Sequence, residues 1–104
     1  MIRHIVMWQL KDHAEGASKA ENARLIKTSL EALNGKIPGM RVLEIGVDIS
    51  RTEHAADLVL YSEFDSLAAL AAYDVHPDHL ALKPLVLARR AGRLVVDYDT
   101  EASV

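Results

Sequence analysis

The chain has 104 residues, half of them apolar and 26% charged, with a formal net charge of −3 and no cysteine. That length fits a single domain over residues 1–104, with a thin core, because a chain of this size buries only about two-thirds of its unfolded surface. The acidic balance argues against nucleic acid or an anionic membrane as partner, and the lack of cysteine excludes a disulfide, a thiolate metal site and a cysteine nucleophile.

From Ile2 to Leu10 the chain alternates: Ile2, His4, Val6, Trp8 and Leu10 share one face and Arg3, Ile5, Met7 and Gln9 the other, which predicts a first strand. Ser18 followed by Glu21 is a capping box, after which Ala23, Ile26, Leu30 and Leu33 recur at helical spacing until Asn34-Gly35 supplies a left-handed stop. Ile37-Pro38-Gly39 predicts a turn, and Met40 to Asp48 a second strand with Leu43, Ile45 and Val47 on one side. The polar run Ser50 to His54 predicts a hairpin loop, and Asp57 to Phe64 a third strand with Leu58, Leu60 and Phe64 opposite Val59 and Tyr61. Asp65-Ser66 predicts the cap of a short helix with Leu67, Leu70 and Ala71 as its buried stripe and Tyr73 near its end. A further helical segment is kinked or divided at Lys83-Pro84, because proline removes a backbone donor, and closes with Arg89 and Arg90 as solvated helix-end charges. Gly92 then marks the break before a fourth strand, Arg93 to Tyr98, and the last residues read as a loose tail.

This order, βαββαβ with an extra helical segment, predicts a ferredoxin-like α+β fold: a four-stranded antiparallel sheet with its helices on one face. The other face of that sheet also carries large apolar side chains. Ile5 and Met7 oppose Val6 and Trp8, Val59 and Tyr61 oppose Leu58 and Leu60, and Val95 opposes Leu94 and Val96. Helices can cover only one side, and an antiparallel sheet open to water alternates cleanly with polar residues. A second copy of the same sheet is the simplest cover, so a homodimer through the sheet face is expected, the alternative being a monomer covered by its own loop and tail. No apolar run is long enough to span a bilayer, and Met1-Ile2-Arg3-His4 does not read as a signal peptide, so a cytoplasmic location without a membrane partner is expected.

Chemistry concentrates in Tyr73-Asp74-Val75-His76-Pro77-Asp78-His79. His76 precedes a proline and is biased out of the helical region, which suits a helix cap with Pro77 at the first helical position. His79 then falls in the first turn, where unpaired N–H groups disfavour a cation, so a neutral imidazole able to act as a general base is expected there. Tyr73, just before the break, can reach the same cavity as a hydrogen-bond donor. His4 lies on the strand face of Val6 and Trp8; taken alone, it reads as a core histidine satisfied by one hydrogen bond. Val6, Trp8, Ile26 and Leu60 are the candidate substrate-binding residues. Neither a metal nor another cofactor is expected: His4, His76 and His79 could offer three imidazoles, but the spacing is a weak metal signal and no acidic residue is placed to orient His76. Glycine-rich phosphate loops, nucleophile elbows and basic aromatic stripes are missing from the sequence.

His4 in an apolar first strand, Ile37-Pro38-Gly39-Met40, Gly46-Val47-Asp48, Phe64-Asp65-Ser66, Tyr73-x-x-His76-Pro77-x-His79 and the closing Leu94-Val95-Val96-Asp97-Tyr98 together resemble the stress-responsive dimeric α/β-barrel domain family over nearly the whole chain. The resemblance implies a ferredoxin-like protomer whose two sheets close into a barrel-like dimer. Through a plant polyketide cyclase in that family it also implies a cofactor-free aldol cyclisation of a small carbonyl ligand. His79 would then be the catalytic base, Tyr73 would steady the enolate, and His4 would orient either of them. The first helix departs from that cyclase by offering Leu25, Ile26 and Leu30 where it has aromatics, which argues against a bulky aromatic substrate. The family leaves two other functions open. One is a non-catalytic stress or assembly dimer whose histidines are caps and core hydrogen bonders; the other is a cofactor-free monooxygenase of the wider dimeric α/β-barrel superfamily.

Overall fold

A computed structural model describes residues 1–101. Its elements in chain order are β1 (Ile2–Leu10), the short pair β2 (His13–Ala14) and β3 (Ala17–Ser18), α1 (Lys19–Glu31), β4 (Met40–Val47), β5 (Leu58–Phe64), α2 (Leu67–Asp74), α3 (Pro77–Leu80), α4 (Lys83–Leu87) and β6 (Arg90–Asp99). Strands β4, β5, β1 and β6 lie in that order in one antiparallel sheet, so β1 is central and the fold is ferredoxin-like. The alternation in β1 sends Ile2, His4, Val6, Trp8 and Leu10 beneath the helices, where they join Ile26, Leu30, Leu43, Leu60 and Phe64 in the core. Among the described residues no helix is long and apolar enough to cross a membrane.

Helix α1 starts where the sequence places it. Ser18 accepts from the Glu21 amide and the Glu21 carboxylate accepts from the Ser18 amide, so two otherwise unpaired donors are satisfied reciprocally. Past its end, Gly35 takes the left-handed conformation at φ +80°. The helix then seals one edge of the sheet. Asn34 accepts from the Leu43 amide and donates to the Leu43 carbonyl, while Glu31 accepts from the Ile45 amide and Lys27 donates to the Ile45 carbonyl. Those are the groups of β4 that no neighbouring strand reaches. Among the described residues, the opposite edge, β6, carries no such cover.

Several expectations are corrected. In α2 the half-buried stripe is Ala69 and Leu70 with buried Tyr73, whereas Leu67 is 68% exposed and Ala71 is also exposed. The cause is a close approach at the preceding turn: a Cβ on Gly39 would lie 2.6 Å from the Ala69 Cβ, so Ala69 faces inward and its neighbours two residues away face out. Gly92 does not separate helix from strand; β6 begins at Arg90 and runs through it. Arg89 is not a solvated charge either, since its guanidinium donates to the Asn22 side chain at 2.9 Å and to the Leu85 carbonyl at 3.0 Å. Val47 shares the face of Leu43 and Ile45 as predicted, but at the end of its strand it is half exposed. The hairpin β2–β3 was hidden in a Glu15-Gly16 turn, whose residues both have positive φ (53° and 74°) although glutamate gives little signal for it. The strand continues one residue beyond the predicted Tyr98, and the rest of the expected tail, residues 102–104, lies outside the described residues.

Candidate active site

The helices do not cover the sheet completely. Between β1, α1 and the α2–α4 segment lies an open cavity of about 430 Å³, a size suited to a small organic molecule. Val6, Trp8, Leu30 and Leu60 form apolar wall; His4, Tyr73 and His79 also face it. Ile26 is fully buried and is not among the lining residues, with Leu30, one turn along α1, occupying the wall instead. Val6, Trp8 and Leu60 are thus brought together at the cavity, and Ile26 packs behind it.

The aromatic and imidazole rings form a row. Tyr73 stacks on His79 with centroids 4.1 Å apart, and the edge of His4 meets Tyr73 at 6.1 Å. Phe64, buried at the base, tilts against Tyr73 at 5.1 Å and fixes its ring. Tyr73 itself is 1% exposed near the end of α2. Burial, aided by the Asp74 charge and opposed by Arg93, raises the proton affinity of its phenol far above the ordinary range, so the hydroxyl keeps its proton and is available as a donor at neutral pH.

The turn after Tyr73 aims the second imidazole. His76 takes an extended conformation and caps α3, its Nδ1 accepting from the Asp78 amide at 3.1 Å, with Pro77 at the first helical position. His79 follows, half-buried, with Nδ1 3.3 Å from the Asp74 carbonyl oxygen. Its pKa is lowered from the ordinary 6.5. The leading cause is burial rather than the helix terminus anticipated from sequence; the nearby Lys83 charge acts in the same direction and the contacts with Asp74 oppose it.

His4 is buried, and its Nδ1 lies 2.5 Å from Asp97 Oδ1 on the neighbouring strand, where His4 and Asp97 are cross-strand partners. The single hydrogen bond expected of a core histidine is therefore present, yet the ring also reaches the cavity. Sequence reasoning missed Asp97 as the partner of His4, and Arg90, Arg93 and Lys83 as cavity residues. The β1–β6 register would have exposed Asp97, because in an antiparallel pair directly opposed residues share a face. Among the described residues no group of three histidine, aspartate or glutamate side chains has the arrangement of a metal site.

On the outer side of the sheet, the register aligns Val59, Met7 and Leu94 in one row and Tyr61, Ile5 and Val96 in the next. Leu94 is 74% and Val96 59% exposed.

Among solved structures, the chain is similar to a dimeric protein of unknown function with a ferredoxin-like fold from Bacteroides fragilis, at 30% identity over 94% of each chain with a TM-score of 0.76. It is also similar to a dabb family protein with a ferredoxin-like fold from Mesorhizobium loti, at 25% identity over 97% of each chain with a TM-score of 0.77. A hydroxynitrile lyase from Passiflora edulis shares the fold, with a TM-score of 0.79 over 99% of this chain and 96% of the other, at 19% identity. No curated protein matches the chain in sequence. Residues 2–100 match the model of the Stress responsive A/B Barrel Domain, and the chain therefore belongs to that family.

Proposed function

We propose that this protein binds a small carbonyl compound in the cavity and converts it without a cofactor, by aldol chemistry of the polyketide-cyclase kind with His79 as the base. The observation that carries the reading is a half-buried, readily neutral imidazole stacked on a protonated phenol at the wall of an open cavity. A carbonyl oxygen can only accept, so the contact with Asp74 fixes the proton of neutral His79 on Nδ1 and leaves the lone pair on Nε2. That lone pair takes a proton from a carbon flanked by two carbonyl groups. The C–H electron pair moves into one C=O, and Tyr73 donates a hydrogen bond to the enolate oxygen so formed. The enolate carbon attacks a further carbonyl of the same substrate, beyond the two that flank it, forming the carbon–carbon bond, and the imidazolium returns its proton to the new alkoxide. His4, with Nδ1 engaged by Asp97, keeps Nε2 free to orient the substrate.

The working unit in this proposal is a homodimer joined through the outer face of the sheet. The dimeric state of the Bacteroides fragilis relative supports it, as do the two apolar rows across β5, β1 and β6.

The test is an NMR titration of the histidines in wild type and Tyr73→Phe, together with deuterium exchange at the central carbon of acetylacetone. The expected result is a His79 that titrates below the ordinary range, responds to Tyr73→Phe, and is required for exchange. An unperturbed His79 indifferent to Tyr73, with exchange no faster than in buffer, would overturn the reading and favour a non-catalytic dimer.

A further inference from the structure

Three cations line the same cavity: Lys83 at the start of α4, and Arg90 and Arg93 on β6. For the two arginines this shared direction is unusual. Residues three apart in a regular strand point to opposite faces. Here β6 pairs Arg93 with Trp8 and Gly92 with Gln9, but the next residue of β1, Leu10, faces Arg90, so Ala91 is extra. This bulge turns Arg90 onto the inner face beside Arg93, and re-aiming a side chain in this way is a recognised consequence of bulges.

Among the described residues none of the three cations takes part in an ion pair, whereas the neighbouring Arg89 is tied to Asn22 and Leu85. Among the described residues Asp74 is the one carboxylate lining the cavity, and the nearby Asp97 is engaged by His4. An unpaired cationic rim around an apolar hollow, in a chain of net charge −3, concentrates positive potential at one place on an acidic molecule. Arg93 is close enough to Tyr73 for its charge to act on the phenol, so an anion held there lies near the proposed chemistry.

We propose that this rim selects the substrate by a carboxylate, and that the natural ligand is an aliphatic oxo acid. Its chain lies against Val6, Leu30 and Leu60 while its carboxylate meets the guanidinium groups of Arg90 and Arg93. This rests on the carbonyl reading above and names its substrate class. The planar fork of arginine matches a carboxylate in two parallel hydrogen bonds, and the lining contains no glycine to build the backbone amide nest that phosphates favour.

The proposal is tested by calorimetric titration of the full chain with 5,7-dioxo-octanoate, its methyl ester and inorganic phosphate. Wild type, Arg90→Gln, Arg93→Gln and the double variant are compared, with Arg24→Gln as a charge control on α1 and circular dichroism verifying the fold. The acid is expected to bind about tenfold or more tightly than the ester, as for a charge-assisted contact. The double variant should bind both ligands alike and Arg24→Gln should behave as wild type. Acid and ester binding equally to wild type would overturn the carboxylate rim while leaving the carbonyl pocket standing. Phosphate displacing the acid at equal concentration would overturn the carboxylate assignment in favour of a general anion site. Failure of both organic ligands to bind, with no acetylacetone exchange, would remove both proposals together.

Discussion

Partial burial lowers the pKa of His79 and favours its neutral form, and this has a consequence for stability. Its folded pKa lies below the ordinary 6.5, so as the pH falls through that value the unfolded chain takes up the proton first. Stability should therefore be full above about pH 6.5 and decline below it, and His79→Asn should lose less of its urea midpoint between about pH 7 and about pH 5 than wild type does. The ring also contributes through its stack on Tyr73. His79→Ala is expected to cost about 1 kcal/mol at neutral pH, measured by chemical denaturation, the usual worth of such an aromatic contact. Tyr73→Phe keeps that stack and the contact with Phe64. It should stay within about 1 kcal/mol of wild type while slowing acetylacetone exchange by at least about tenfold, because only the donor to the enolate is lost. Tyr73 and His79 were legible as candidates because they flank a pre-proline histidine in one short stretch, and His4 because it is a lone polar residue on the apolar face of the first strand. The reason for the neutrality of His79 was not, because burial depends on how Tyr73 and α4 close around it.

At the scale of the element, α1 has two tasks that a hydrophobic pattern reveals unequally. Its inward stripe and its Ser18–Glu21 cap follow from spacing and residue type alone. The grip of Asn34, Glu31 and Lys27 on the backbone of β4 is a tertiary arrangement with no local signature. Asn34→Ala should destabilise the protein by about 1–2 kcal/mol, since it strips both polar groups of Leu43 of their partner. Hydrogen exchange at the Leu43 amide should accelerate more than at the Leu60 amide in the sheet interior, and equal acceleration would show that the loss is global. Gly92 illustrates the opposite failure of legibility. A glycine before an apolar run reads as punctuation, yet here it lies within a strand next to a bulge, where only the pairing with β1 can place it. The same pairing sets the direction of Arg90, so the cationic rim could not be read before the register was known.

At the scale of the molecule, the outer sheet face gives a direct prediction. Leu94 and Val96 stand opposite Met7 and Ile5 in β1, and a carboxylate in either row interrupts a continuous apolar surface. Val96→Glu is expected to shift the protein from dimer to monomer in light scattering while leaving the helix-side core untouched; an unchanged dimer would show that the copies meet elsewhere. That β1, β5 and β6 carry large apolar side chains on both faces was visible in the sequence, as was the order of the main elements, because each strand keeps its period and each main turn its residues. The open cavity was not, since it depends on α1 to α4 leaving part of the inner face uncovered.

The sealed β4 edge and the open β6 edge also make the sheet one-ended. Hydrogen bonding between two β6 strands would leave only sealed margins outward, so growth by edge addition stops at a pair. Among the described residues, the four side-chain hydrogen bonds to Leu43 and Ile45 thus occupy the edge at which a further strand would add.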